Sequence, residues 1–431
     1  MPVRRLFVAL LAVVLLGGAV WWSNRHKKAE EAKPAAAADT PKVLAIPEDQ
    51  VAQLEFQRKD TPPVIVKKNG AGKWDITAPK TLPADAGSVQ GVTGTLASLT
   101  ADQVIEEKPS DLAPFGLKEP SFRLTITKKD GKTSQLDLGD ETQTSGLVYA
   151  RLGGDPKVYA LSTSMKSSLD KTWQDLRDKR LLTFDSDKLS RLELTAKKQT
   201  VELGKNAQNE WQILKPKPYR ADGFQAEELI RKIKDAKLSD DDAQKAATAF
   251  ASAAPIATVK VTDASGTQTL DVRKNKDDYF AKSSVVEGVF KVSNDLGTGL
   301  DKGLDDLRNK KLFDFGFSDP GKFTVNGVTY SKGGEKWFSN GKEVASAGIQ
   351  QFIDKARDLQ ATRFAETGFT TPSFDMVVIS NEGKRTERVQ LSKNGDKYYA
   401  RRENEPALYE LDPKAAEELM KGVHPSTEPR R

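Results

Sequence analysis

The chain has 431 residues, of which 37% are apolar and 30% charged, and its formal net charge is +6. This length and composition allow several folded domains and exclude a wholly disordered chain. The small positive excess is scattered among acidic residues, without the concentrated basic stripe of a nucleic-acid-binding protein, so no nucleic-acid partner is predicted.

The chain contains no cysteine and two histidines, His26 and His424. The absence of cysteine excludes disulfides, thiol nucleophiles and thiolate metal sites. Both histidines lie outside the predicted folded units, which argues against histidine-dependent catalysis and imidazole zinc sites. We therefore predict that the protein is not an enzyme and has no catalytic, cofactor-binding or metal-binding residues. Carboxylate-only catalysis is the chemistry that this reasoning leaves open.

The N-terminal segment, residues 1–25, is predicted to be a membrane anchor. An uncharged apolar run extends from Leu6 to Trp22, and as a helix it would span about 26 Å of a hydrocarbon core about 30 Å thick. Two adjacent tryptophans at its end suit the membrane interface, and basic residues follow them. A cleavable signal peptide is the alternative, with Gly17 and Ala19 as the small residues before the cut.

The next part of the chain is predicted to contain three copies of one unit. The pattern W-x-I-x-x-P at Trp74–Pro79 recurs at Trp211–Pro216, and apolar residues at helical spacing follow both copies and also Trp337. The residues of these three apolar faces are Val89, Val92, Leu96 and Leu99; Ala226, Leu229, Ile233 and Ala236; and Ile349, Phe352, Ala356 and Leu359. After each helix come alternating segments with glycine turns, as in antiparallel hairpins.

Each unit is therefore predicted to be a strand pair, a helix, about four antiparallel strands and a closing helix. The fold class is α+β, with three tandem units behind the transmembrane helix. The predicted domains are the anchor 1–25, a linker rich in Ala, Pro, Lys and Glu at 26–45, repeat units at 46–186, 187–317 and 318–423, and a disordered tail at 424–431.

Two groups of residues in the repeats have predicted structural roles. Asp85 and Asp222 precede the first two helices, where a carboxylate can cap the helix N-terminus. Trp74, Trp211 and Trp337 are interpreted as core residues that anchor a strand on the helix behind it, because aromatic side chains dominate core burial. Ligand stacking on these tryptophans is the alternative.

A second motif, DLRDKRLLTF at Asp175–Phe184, recurs as DLRNKKLFDF at Asp306–Phe315. Each copy follows a closing helix, and the motif is absent after the third unit. A catalytic motif has no reason to depend on a following unit, whereas a joint does, so we interpret the motif as a joint. A basic surface patch for an acidic partner is the alternative. The residues predicted to seat the joint are Leu176, Leu181 and Phe184, and their equivalents Leu307, Leu312 and Phe315.

The acidic run SDDDA at Ser239–Ala243 is a candidate metal site because it places three carboxylates in a row. A calcium loop needs alternating oxygen ligands and a distal glutamate, and no residues stand at that spacing. The run is interpreted as a solvated loop. Glycine patterns that bind phosphate between a strand and a helix are also missing from the sequence.

The first unit resembles a bacterial envelope family catalogued as domain of unknown function 4340. The resemblance weakens in the second and third units. The motifs that carry it, besides W-x-I-x-x-P and the joint, are FGLKEP at Phe115–Pro120, LGD at Leu138–Asp140 and YAR at Tyr149–Arg151. The resemblance implies a single-span inner-membrane protein with its body in the periplasm, associated with transporter systems of the ATP-binding-cassette type. It implies no catalytic residue.

The leading hypothesis is a non-enzymatic accessory or scaffold component of an envelope complex, with a protein partner and no cofactor. The alternatives are a module that binds a glycan or another extracytoplasmic ligand, and a carboxylate-based hydrolase. A scaffold predicts an exposed apolar patch, and a ligand-binding module predicts a pocket lined by aromatic residues. A hydrolase predicts carboxylates in a cleft with displaced pKa values.

Overall fold

The computed structural model describes residues 40–143, 146–239 and 243–423. The predicted anchor, most of the predicted linker and the predicted tail lie outside these ranges. No helix among the described residues combines the length and apolar character that a membrane span requires. The described chain divides into two compact bodies, one up to Asp178 and one from Lys179 onward.

The first body contains a nine-stranded antiparallel sheet, the first sheet, with three helices and a separate strand pair. Its strands are β1 (Lys42–Leu44), β2 (Val51–Arg58), β3 (Val64–Lys68), β4 (Trp74–Ala78), β5 (Leu82–Pro83), β6 (Leu99–Thr100), β7 (Gln103–Glu106), β8 (Phe122–Lys128), β9 (Thr133–Glu141), β10 (Leu147–Leu152) and β11 (Val158–Ser162). Its helices are α1 (Ala86–Ala97), α2 (Thr163–Leu169) and α3 (Trp173–Leu176). The strand order is β5-β4-β3-β2-β8-β9-β10-β11-β7, and β1 pairs with β6.

The second body begins with an eight-stranded sheet, the second sheet. Its strands are β12 (Arg191–Ala196), β13 (Gln199–Lys205), β14 (Trp211–Lys215), β15 (Tyr219–Arg220), β16 (Ala254–Asp263), β17 (Gly266–Asn275), β18 (Asp278–Ser283) and β19 (Val289–Val292). Its helices are α4 (Gly223–Lys234), α5 (Ala243–Ala251), α6 (Asn294–Leu300) and α7 (Leu304–Leu307). The strand order is β15-β14-β13-β12-β16-β17-β18-β19.

The second body continues with another nine-stranded sheet, the third sheet. Its strands are β20 (Lys322–Val325), β21 (Val328–Gly333), β22 (Lys336–Ser339), β23 (Lys342–Val344), β24 (Ala361–Ala365), β25 (Phe374–Ser380), β26 (Arg385–Asn394), β27 (Lys397–Arg402) and β28 (Leu408–Leu411). Its helices are α8 (Ser346–Asp358) and α9 (Pro413–Met420). The strand order is β23-β22-β21-β20-β25-β26-β27-β28-β24. Short 3₁₀ turns at Glu48–Gln50, Ala113–Phe115, Ser186–Lys188 and Asn381–Gly383 complete the secondary structure described.

One connectivity is repeated in all three large sheets. Four strands run up and down, a helix follows, and four more strands run up and down, with the first strands of the two sets paired side by side: β2 with β8, β12 with β16, and β20 with β25. The predicted mainly antiparallel α+β class is confirmed. Four strands precede the helix rather than the predicted two. One of the four, β5 in the first sheet and β15 in the second, has only two residues and cannot display alternation. The boundaries predicted at 186 and 317 stay predictions.

The three principal helices bury the faces that the sequence predicts. Nine of the twelve predicted apolar residues lie on these helices, whereas Leu99 lies on β6 and Ala236 and Leu359 follow the ends of α4 and α8. All twelve are buried, and they line one core in each large sheet. Asp85 accepts a hydrogen bond from the Ser88 amide at 2.7 Å and Asp222 accepts one from the Gln225 amide at 3.0 Å, so both predicted caps are confirmed. Each cap satisfies a helix donor that would otherwise lack a partner.

The tryptophans that begin the W-x-I motifs are core residues, as predicted. Trp211 and Trp337 are buried, and Trp74 packs half-buried against the core of the first sheet. The Lys68 ammonium lies 4.9 Å from the ring centre of Trp74, and the Lys205 ammonium lies 4.9 Å from that of Trp211.

Candidate functional site

The second copy of the joint motif, Asp306–Phe315, connects the second and third sheets within the second body. Leu307 lies in the core of the second sheet, whereas Leu312 and Phe315 lie in the core of the third. The first copy divides in the same way, since Leu176 lies in the core of the first body and Leu181 in that of the second. The interpretation of the motif as a joint is confirmed for Asp306–Phe315, whose leucines lie in the cores of two successive sheets.

The backbone of the second joint is fixed on both sides. Arg308 forms a β-bridge with Ala221, which directly precedes the capping residue of α4. Three residues later Lys311 forms a β-bridge with Gln360, which directly precedes β24. The joint therefore acts as a short strand shared in turn by the two sheets that it connects.

The side chain of Arg308 lies between aromatic rings from both sheets. Its guanidinium carbon is 4.1 Å from the ring centre of Tyr219 on β15 and 3.4 Å from that of Phe364 on β24. An ion pair with Asp305 at 3.2 Å adds a charged partner. A planar cation stacks on aromatic faces in this way, so Arg308 holds the two sheets together from the middle of the joint.

A buried ionic cluster lies beside the joint, and we call Arg220, Asp314, Glu405 and Tyr409 the Arg220 cluster. Arg220 forms ion pairs with Asp314 and with Glu405, donates to the carbonyl oxygen of Lys311 at 2.5 Å and donates to the Tyr409 hydroxyl at 3.1 Å. Only 13% of its side chain is exposed. One guanidinium from the second sheet is thus bonded to the joint and to the third sheet at the same time.

The charges of the Arg220 cluster stabilise one another. Burial acts to raise the pKa of Asp314, but the positive charges of Arg220 and Arg402 outweigh it and hold that pKa below its usual value. Burial, together with the hydrogen bond to Glu405, raises the pKa of Tyr409 to about 12. Asp314 is therefore ionised and Tyr409 neutral across the physiological range, a state suited to fixing structure rather than transferring protons.

A second arginine extends this network into the third sheet. Arg402 donates to Glu387 at 2.9 Å and lies 3.3 Å from Glu405, and it also donates to the carbonyl oxygen of Leu312 in the joint. Glu387 is buried and accepts two bonds from the Asp314 amide, at 2.9 and 3.1 Å. The buried carboxylates here each have charged or backbone donors, which is the condition for keeping ions in a protein interior.

A cavity of about 420 Å³ opens next to the Arg220 cluster, and we call it the Trp211 cavity. Arg385, at its edge, pairs with Glu210 and donates to the Asp314 carbonyl oxygen at 2.9 Å. The indole N–H of Trp211 donates to Glu227 at 2.5 Å. The polar residues that line the cavity include Gln212, Arg220, Glu227, Asn309, Asp314 and Arg385.

A wider groove of about 730 Å³ lies alongside α5. This helix packs through Ala246 and Phe250 on Phe280 of β18, in a small core separate from the main one. Asn275 ties the helix end to the sheet by donating to the Ala249 carbonyl oxygen at 2.9 Å. The Asn275 amide is therefore used to hold α5 on the sheet and is not free to bind a ligand. We interpret the groove as a solvated surface.

The second body also presents two exposed phenylalanines. Phe317, two residues after the end of the joint, is 99% exposed, and Phe224, in the first turn of α4, is 73% exposed. Side chains as large as these lack the stabilisation that burial would give them. The predicted contiguous apolar patch stays a prediction.

The described residues contain none of the side chains that the sequence offers as histidine ligands or as an acidic metal site. His26, His424 and the acidic run at 240–242 lie outside the described residues. Within the described ranges, no three acidic or histidine side chains come together as metal ligands would. Sequence reasoning missed the Arg220 cluster, because its partners stand 94 and 185 residues away along the chain.

Comparison with known proteins gives one family. The model of a family described as domain of unknown function (DUF4340) matches residues 74–241 and again residues 211–367, more than half of the chain in total. The two matches begin at Trp74 and Trp211, the residues that open the repeated W-x-I-x-x-P pattern, which is consistent with a repeated domain. No curated protein matches the chain.

Proposed function

The chain belongs to the family described as domain of unknown function (DUF4340), and from that membership we propose that it is a non-enzymatic accessory or scaffold component of a cell-envelope complex. The observation that carries the proposal is the Arg220 cluster. Its charged side chains pair with one another, and these ion pairs connect the second and third sheets at the joint. Such an arrangement fixes the geometry of a surface and leaves no ionised group free for chemistry.

The pKa of Asp314 favours this proposal over a carboxylate-based hydrolase. Glycoside hydrolysis needs one carboxylic acid whose pKa is raised so that it can donate a proton. Asp314 lines the Trp211 cavity, but its pKa is lowered by two arginines. This carboxylate therefore stays ionised and paired instead of acting as an acid.

The proposed location is the inner membrane, with a single N-terminal span and the folded body in the periplasm. The apolar run from Leu6 to Trp22 and the flanking basic residues support a membrane anchor. The family resemblance supports a partner among transporter subunits of the ATP-binding-cassette type. Cleavage of the segment as a signal peptide would give a periplasmic protein without an anchor.

Phe317 is the residue that we propose as a contact for the partner. Aromatic residues are enriched at protein interfaces, and the binding energy there is concentrated in a few of them. Phe317 lies two residues after the end of the joint, so its position depends on the ion network that fixes the joint. A partner docked at Phe317 would therefore contact the chain next to the joint.

The experiment is crosslinking in the native host, purification of the tagged full-length chain in mild detergent, and quantification of the proteins recovered with it. Phe317→Ser should lower partner recovery by about fivefold or more, as expected for loss of an interface anchor worth at least about 1 kcal/mol. Val328→Ser is the matched control, because Val328 is also exposed and lies on the third sheet. If the wild-type chain is recovered alone, the scaffold proposal is wrong.

A further inference from the structure

The Trp211 cavity contains polar groups that the protein itself does not use. In the described part of the chain, the side-chain amides of Asn209 and Gln212 make no hydrogen bond, and Arg385 uses its two terminal nitrogens but not its Nε. Glu227 uses one oxygen, which accepts from the Trp211 indole at 2.5 Å, so its second oxygen is free. The four side chains with free groups, Asn209, Gln212, Glu227 and Arg385, line the same cavity.

These free groups form a mixed set of donors and acceptors. Each amide offers both functions, the Glu227 oxygen accepts, and the Arg385 Nε–H donates. A hydroxyl group can both donate and accept a hydrogen bond. A compound with several hydroxyls can therefore pair with the two amides, the Glu227 oxygen and the Arg385 Nε–H. These side chains are exposed (Asn209 and Glu227) or half-buried (Gln212 and Arg385), so a bound hydroxyl would replace water as their partner.

The charges in the cavity argue against an anionic ligand. Three carboxylates line it, Glu210, Glu227 and Asp314, against two guanidiniums. Both guanidiniums are already committed, Arg220 to Asp314 and Glu405, and Arg385 to Glu210 and the Asp314 carbonyl. A phosphate or carboxylate would therefore meet repulsion without an unpaired cation to offset it.

We propose that the Trp211 cavity is a binding site for a short saccharide without anionic groups. Its volume of about 420 Å³ lies within the range of about 300–1,000 Å³ that small-molecule pockets occupy. The Trp211 ring is only 6% exposed, so the indole orients Glu227 through its N–H and offers little face for stacking. Recognition is by hydrogen bonds, and the affinity is correspondingly modest. The inference does not rest on the scaffold role proposed above, although the cavity shares Arg220 and Asp314 with the Arg220 cluster.

Gly223 supplies a variant that closes the site. It lines the cavity, and a Cβ built on it would meet no atom within 4 Å. Gly223→Leu therefore places a side chain in open space beside the ligand groups without a clash with the fold. The matched control is Ala86→Leu in the first body, because Ala86 follows the capping Asp85 as Gly223 follows the capping Asp222.

The test uses the purified full-length chain in mild detergent and three probes: maltose, N,N′-diacetylchitobiose and, as the anionic comparison, inorganic phosphate. Saturation-transfer NMR should show saturable binding of at least one saccharide. Glu227→Gln, which keeps an acceptor for the Trp211 indole, should weaken it about tenfold through loss of a charged hydrogen bond. Gly223→Leu should abolish it, and Ala86→Leu should leave it unchanged.

Three results with the wild type, Gly223→Leu and the anionic probe would overturn the proposal, and a fourth concerns the control variant. They are the absence of saturable binding by either saccharide, binding that survives Gly223→Leu unchanged, and tighter binding of phosphate than of both saccharides. Thermal unfolding of each variant, with a midpoint close to that of the wild type, shows that the loss of binding is not a loss of folding. Binding lost equally in Ala86→Leu would also contradict the assignment to this cavity.

Discussion

Replacing Arg220 with methionine should destabilise the second body by about 3–5 kcal/mol. Methionine keeps much of the side-chain length but removes the charge, so Asp314 and Glu405 would be left buried without their shared cation. Arg220 and Glu405 are 13% and 11% exposed, and the pair is therefore well removed from water. Removal of one partner from a buried pair costs about this much because the remaining charge stays desolvated.

The measurement is hydrogen–deuterium exchange by mass spectrometry on the full-length chain, which reports the two bodies separately. Peptides of the joint and of β26 to β28 should exchange faster in Arg220→Met. Arg388→Ala is the matched control, because Arg388 pairs with Asp375 on the third sheet but is 40% exposed, where water screens the ion pair and its loss has little effect on stability. Equal exchange in the two variants would refute the view that the Arg220 cluster holds the two sheets together.

The remaining predictions concern the same joint. Arg308→Lys should cost about 1–2 kcal/mol in urea unfolding, because an ammonium cannot stack between the rings of Tyr219 and Phe364 as a guanidinium does, and a loss below about 0.3 kcal/mol would contradict that role. The stability contributed by Asp314 should be complete above about pH 4 and disappear as the pH falls below it, because its folded pKa lies below the unfolded value of about 3.9. In Arg220→Met, the pKa of Asp314 measured by NMR should rise, and an unchanged value would show that Arg220 is not its main cationic partner.

The parts of the fold that follow from local sequence patterns were predictable. The helical faces of α1, α4 and α8 repeat every three to four residues, and burial of the nine predicted positions that lie on these helices follows from that period. The joint was predictable for another reason. Its motif occurs twice, and three predicted units in a row have two connections. Both signals are contained in short stretches of the chain.

The Arg220 cluster carries no such signal. Arg220 lies on the two-residue strand β15, Asp314 in the joint and Glu405 beyond β27, and only the folded topology brings them together. The sequence analysis does not predict α5, because the repeated unit has no second helix between its principal helix and its second set of strands. The second sheet has α5 where the other two have their ninth strands, β7 and β24. Local propensity cannot predict where one copy of a repeat departs from the others.

The most direct test of the scaffold account is to measure how much partner is recovered per chain after crosslinking, for the wild type, Arg220→Met and Arg388→Ala side by side. The account predicts near-stoichiometric recovery of an envelope protein with the wild type and with Arg388→Ala. It predicts a clear loss with Arg220→Met, because the joint that positions Phe317 is then no longer fixed. Recovery of the wild-type chain alone, or full recovery of the partner with Arg220→Met, would contradict it.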